Sequence, residues 1–118
     1  MQSSLFVYGT LRSSYRNRWA KALRAASRHY EQAWTRGTLD LSGRYPVLQP
    51  GDGNLIRGEL YHLRNQAVLG LLDAYEGPSY QRVEIPVWTK RAGKRRAWCY
   101  VGSDWFRSRA RAAGPAGV

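Results

Sequence analysis

The sequence predicts an α+β domain, and three observations predict it. Leu55 to Leu63 alternates as a strand does, with Leu55, Arg57, Glu59, Tyr61 and Leu63 on one side and Ile56, Gly58, Leu60 and His62 on the other. Gln81–Thr89 and Arg95–Val101 read as the arms of a hairpin whose turn, Lys90 to Lys94, carries an Ala-Gly step. Helical spacing occupies Tyr15–Arg28 and Gln66 to Tyr75 or Glu76. The 118 residues suffice for one core. At 43% hydrophobic and 13% aromatic the chain is too apolar to be disordered. We expect a single domain over 1–106 and an Arg-, Ala- and Gly-rich tail over 107–118, with Trp105 and Phe106 docked ahead of it.

Leu5 to Tyr8 is an apolar run that reads as a buried first strand. It meets Gly9, which permits a sharp turn or a close approach to a ligand. Successive amides leaving a strand at such a turn can form a concave anion site. Tyr8 and Thr10 add hydroxyls there, and Arg12 adds a cation. A strand end followed by an ordinary turn has the same residue pattern.

In the first helix, Trp19, Leu23 and Ala26 share one side, and Lys21, Arg24 and Arg28 the other. His29 to Leu41 is strand-like, with Gly37 as a bulge or bend. Gly43, Pro46, Pro50, Gly51 and Gly53 mark Ser42–Asn54 as a loop, inside which Tyr45-Pro46-Val47-Leu48 tucks apolar groups against the core. Asn65 is a good N-cap for the second helix, and Gly70 weakens that helix while permitting close packing. Pro86 implies an edge or bulge position in the first hairpin arm.

The second helix ends in Leu71-Leu72-Asp73-Ala74-Tyr75-Glu76-Gly77-Pro78, where Gly77 and Pro78 stop it. On a helical wheel Glu76 falls between Leu72 and Leu69, in the apolar sector that also holds Val68 and Tyr75. An inward carboxylate at a helix C-terminus is disfavoured as an anion by the dipole and by desolvation. Both raise its pKa, as a general base near neutrality requires. Two alternatives remain at this point: a Glu paired with one of the many arginines, or a helix that ends too early for the wheel to apply.

Several function classes are constrained by composition. No apolar run approaches a membrane span, and Met1–Leu5 is not a signal peptide. Cys99 is the single cysteine, so no intramolecular disulfide forms, and a cytoplasmic location is the default expectation. Cys99 itself reads as a buried small hydrophobe. His29 and His62 lie far apart on separate strands and read as core or surface residues. With two His, one Cys and no ligand-spaced cluster, no metal and no redox cofactor are expected. Nineteen Lys and Arg against eight Asp and Glu give a net charge of +11, which attracts nucleic acid or acidic partners without sequence preference. The arginines are scattered along the chain, and no helix-turn-helix or RNP motif accompanies them.

Taken in order, Phe6-Val7-Tyr8-Gly9-Thr10-Leu11-Arg12, Tyr45-Pro46, Gly58-Glu59-Leu60-Tyr61, Leu72-Asp73-Ala74-Tyr75-Glu76-Gly77 and Tyr80-Gln81-Arg82-Val83 resemble the gamma-glutamylcyclotransferase-like, or AIG2-like, family. The resemblance runs from about Leu5 to Val101. It implies a small mixed β-barrel with packed helices, and a cavity rimmed by Tyr8-Gly9-Thr10-Leu11. It further implies that this loop holds a γ-glutamyl group through backbone amides, that Glu76 is the catalytic carboxylate, and that Tyr80 lines the pocket. Arg82 also matches, and reads first as structural, as does Asp73 one turn before Glu76. The implied substrate is a small γ-glutamyl amine or amino acid, converted to 5-oxoproline without a cofactor. Two other classes stand beside this one: a basic nucleic-acid-binding module, and a non-catalytic binder of a small carboxylate. Oligomeric state is not legible.

Overall fold

The first strand explains the architecture. β1, Ser4–Val7, is buried on both faces, which is why it reads as a continuous apolar run rather than an alternating one. Phe6 points into one core cluster, and Leu5 and Val7 point into another. A computed structural model describes residues 3–9, 11–12, 14–43 and 45–103. The expectations for Thr10, for Trp105 and Phe106 and for the tail over 107–118 lie outside these residues.

After β1 come α1 (Arg18–Ala25), β2 (Ser27–Asp40), β3 (Val47–Pro50), β4 (Asn54–Leu63), α2 (Ala67–Glu76), β5 (Tyr80–Thr89) and β6 (Gly93–Gly102). The sheet runs β3-β2-β4-β1-β6-β5, and β5 returns to β2 at Ala33↔Thr89 and Trp34↔Trp88. Five strands, β2, β4, β1, β6 and β5, thus close a barrel. Only the β1–β6 pair is parallel. The 14-residue β2 makes closure possible: β4 lies along one edge, while the other edge meets β5 and then β3.

Phe6, Ala33, Leu60, Ile85, Val87, Ala97 and Cys99 fill the barrel interior. Leu5, Val7, Leu23, Tyr61, Leu63, Val68, Leu69 and Leu72 form a second core beneath the two helices. Gly58 faces the interior where a Cβ would run into the Val7 carbonyl and the Phe6 ring, so β1 and β4 close at this point only over glycine.

Several boundaries differ from expectation for local reasons. The expected helix over Tyr15–Arg28 is confined to Arg18–Ala25. The Asn17 side chain accepts from the Ala20 N–H at 2.8 Å, and the Ser27 hydroxyl donates to the Leu23 carbonyl at 2.7 Å. The expected loop Ser42–Asn54 contains a strand, β3, because Leu48 is fully buried and Val47–Pro50 pairs with the far end of β2. Asn65 does bond the first turn of α2, accepting from Ala67 N–H at 2.8 Å. Gly70 is exposed and a Cβ there would meet nothing, so it serves no close packing. Pro86 precedes the short β5–β2 contact, where the outer edge of β5 is open, and its carbonyl accepts from the Thr35 hydroxyl at 2.7 Å. The hairpin turns at Gly93, whose φ is 66°. No described helix is long and apolar enough to cross a membrane.

Candidate active site

Because β1 ends at Val7 and α2 ends at Glu76, the turn after the strand and the end of the helix meet at one mouth of the barrel. There a cavity of about 260 Å³ opens. Phe6, Val7, Tyr8, Gly9 and Leu11 form one wall, and Tyr75, Glu76 and Tyr80 form another. Tyr45 and Pro46 precede β3 and cover the rim, and Tyr100 of β6 closes the side. The volume lies just below the roughly 300–1,000 Å³ of drug-sized sites, which suits a small ligand. Five tyrosines line it, so its walls are aromatic and their polar tips few in direction.

Glu76 is the last residue of α2. Gly77 follows with φ 72°, its N–H donating to the Asp73 carbonyl at 3.2 Å, and the chain turns away. The inward side of the helix is the one that holds Val68, Leu69 and Leu72, so Glu76 is carried into the cavity wall. Burial pushes its pKa up from the ordinary 4.5 to about 7. Among the described residues no cation pairs with it; the ion pairs involve Glu31, Asp73 and Glu84 instead.

The neighbouring hydroxyls are mostly committed to the fold. Tyr8 Oη donates to the Tyr100 carbonyl at 2.6 Å and accepts from the Leu48 N–H at 2.9 Å, tying β6 to β3. Burial raises the Tyr8 pKa, so the phenol stays protonated. Tyr80 Oη donates to the Pro46 carbonyl at 3.0 Å and so holds the rim segment. Its pKa is raised first by burial and then by the charge of Glu76. The turn after β1 is closed by Arg12, whose backbone N–H and Nε both donate to the Gly9 carbonyl, at 3.1 and 3.2 Å. With that carbonyl held, no described residue accepts from the N–H of Gly9 or Leu11. A Cβ at Gly9 would meet nothing and its φ is not positive, so neither packing nor backbone conformation demands glycine there. What remains is the open space of the cavity it lines.

A second layer fixes the end of α2. Asp73 accepts from Arg82 Nε at 2.8 Å and from Tyr100 Oη at 2.6 Å, and the Arg82 guanidinium stacks 4.5 Å over Trp98. Burial works against ionised Asp73, but these hydrogen bonds outweigh it and its pKa lies below the usual range. Ser103 then clamps the following turn, its Oγ donating to the Pro78 carbonyl at 2.8 Å. Asp73 and Arg82 are therefore structural here, as their sequence context suggests.

Of the residues singled out from sequence, Tyr8, Gly9, Leu11, Glu76 and Tyr80 line the cavity, while Thr10 lies outside the described residues. Arg12 does not line it; its guanidinium turns onto the Gly9 carbonyl and lies 5.5 Å over the Tyr15 ring. Sequence reasoning left out Tyr45, Tyr75 and Tyr100 as site residues. Tyr75 was legible on the apolar sector of the α2 wheel. Tyr100 was not, because its place depends on the β1–β6 pairing. Cys99 is fully buried, and burial pushes its thiol pKa well up, which leaves it inert as a nucleophile. His29 and His62, distant in sequence, are brought into contact, with ring centroids 4.2 Å apart.

Comparison with known proteins places this geometry. An AIG2-like protein from Mus musculus is similar at 25% identity, with a TM-score of 0.70 over 88% of this chain and 82% of that one. YkqA from Bacillus subtilis is 33% identical with a TM-score of 0.67, over 87% of this chain but only 36% of that longer protein. A structure described as gamma-glutamyl cyclotransferase shares the fold at 15% identity, with a TM-score of 0.62 over 97% of this chain and 82% of that one. A search of curated proteins returns no match. The family model "Gamma-glutamyl cyclotransferase, AIG2-like" matches residues 5–115, and the chain belongs to that family.

Proposed function

We propose that the protein closes the γ-glutamyl group of a small amine or amino acid conjugate to 5-oxoproline and releases the amine. One observation carries the reading: Glu76, half-buried and without a cationic partner among the described residues, has a pKa of about 7 and shares a small cavity with the Gly9 and Leu11 turn. The α-ammonium of the substrate, with a pKa of about 8 in peptides, must lose a proton before it attacks. Glu76 accepts that proton. The freed amine forms a bond to the side-chain carbonyl carbon of the same molecule, and the carbonyl oxygen takes up charge facing the turn amides. Glu76 passes that first proton to solvent, takes the second proton from the nitrogen now bonded to carbon, and gives it to the departing nitrogen as the original amide C–N bond breaks, leaving the neutral lactam and the free amine. Nucleophile and electrophile belong to one molecule, so holding it bent removes much of the entropic barrier. Phe6, Tyr75 and Tyr100 give the cavity largely aromatic walls beside the reacting group.

The test is a panel of γ-glutamyl amines, γ-glutamyl amino acids and γ-glutamyl-ε-lysine, assayed for 5-oxoproline. Turnover of at least one member is expected, with a loss of about 10²–10⁴-fold in Glu76→Gln. Unchanged turnover in that variant would remove Glu76 as the base. Binding of 5-oxoproline with no turnover of any conjugate would reduce the site to a carboxylate binder.

A further inference from the structure

We propose that His29, Glu31 and His62 form a binding site for a zinc-class divalent cation, separate from the cavity. His29 and His62 are directly opposed across β2 and β4, and Glu31 is two residues along β2 from His29, so all three share one face. It is the inner face: Glu31 opposes Leu60, which belongs to the interior core. The trio therefore caps that core where the interior opens to solvent. Ser4 of β1 opposes His62, whereas the cavity opens past Val7 and Tyr8. Four residues of strand separate the two places, about 13 Å at the usual rise.

The spacing suits one ion. His62 Nε2 is 2.7 Å and His29 Nε2 3.9 Å from the same Glu31 oxygen, and all three donor atoms lie within 4.8 Å of one another. Bonds of about 2.0–2.1 Å in a tetrahedral zinc site put the donors roughly 3.3–3.4 Å apart, between the two observed separations. The register irregularity between Ser27 and His29 aims His29 at its partner. Exposure is graded: Glu31 is 16% and His62 17% exposed, while His29 is 52% exposed. Two ligands are thus fixed and half-buried, and the third lies open, leaving the fourth position to solvent. Two imidazoles and one carboxylate favour zinc and its late first-row neighbours over magnesium or calcium, which take oxygen donors. The net charge of +11 repels cations from the surface at large, so uptake must come from these donors.

The full chain, freed of histidine tag and stripped with chelator, is titrated with Zn²⁺ against a chromogenic chelator, and with Co²⁺ by visible spectroscopy. One equivalent of each is expected, with Co²⁺ bands of a low-coordinate site. His29→Ala, Glu31→Gln and His62→Gln should each weaken Zn²⁺ binding by more than the roughly 10–100-fold that outer-shell changes cost. His29 is the exposed member, so His29→Ala decides the matter should either of the others fail to fold. The chain has only these two histidines and its one cysteine is fully buried, so few other donor sets can imitate the result. No competition with the chelator, or affinity unchanged in His29→Ala, would overturn the site and leave an ordinary His62–Glu31 hydrogen bond with a stacked neighbour.

Discussion

Glu76→Gln is expected to stabilise the protein while disabling it. The carboxylate titrates near 4.5 when exposed and at about 7 in the fold. Between those values the folded state holds a proton that the unfolded chain releases, so stability falls as pH rises through this window. Below about pH 4.5 the residue adds no penalty; above about 7 the penalty is complete. At about 1.36 kcal/mol per pH unit, the full cost of the buried charge is about 3 kcal/mol. Glutamine keeps the shape and removes the charge. Urea unfolding of both proteins at pH 4.5 and pH 8 isolates the difference, because other groups titrate alike in the two. The variant should gain little at pH 4.5 and about 2–3 kcal/mol at pH 8. A variant that is less stable at pH 8 would mean that Glu76 is ionised with a favourable partner, and a difference that ignores pH would mean that its pKa is not raised by the fold.

Other expectations follow from the same contacts. The initial rate with a turned-over conjugate should rise with pH through about 7, and a pH–rate profile without that limb would separate Glu76 from the rate. Tyr8→Phe leaves the Leu48 N–H without its acceptor and should cost about 1–3 kcal/mol in denaturant unfolding; no loss would show that the bridge between β6 and β3 is inessential. Gly58→Ala drives a methyl into the Val7 carbonyl and Phe6 ring and should cost about 1–3 kcal/mol or more, read as a lowered Tm. Arg82→Ala frees Asp73 and the end of α2; stability should fall by about 1 kcal/mol and kcat should fall more than KM rises, whereas unchanged kcat would deny the pair a positioning role.

What could be read from the sequence was whatever short spacing decides. Leu5 to Tyr8 announced a buried strand because both its faces are covered, and Leu55 to Leu63 announced β4 through alternation. Glu76 could be placed inward because a helical wheel needs only its own helix. The Asn17 cap, followed at once by Arg18-Trp19-Ala20, was present in the sequence and was outweighed by helical spacing that began earlier. β3 was hidden because Pro46, Pro50, Gly51 and Gly53 signal a loop, while its strand character comes from pairing with β2 and burial of Leu48. Barrel closure could not be read from local spacing, for a related reason, and was implied by the family resemblance alone. It depends on a parallel β1–β6 contact and a two-residue β2–β5 seam, both distant in sequence. The meeting of His29 with His62 and the commitment of the Tyr8 hydroxyl follow from the same long-range register.

The most direct measurement is an NMR titration of the Glu76 side-chain carboxyl, run with and without 5-oxoproline, with the Gly9 and Leu11 amides followed in parallel. An isolated midpoint near 7 that moves on ligand addition, with both amide signals shifting at the same ligand concentration, is the expected result. A midpoint near 4.5, or a ligand that moves neither the acid nor the two amides, would contradict a shared site.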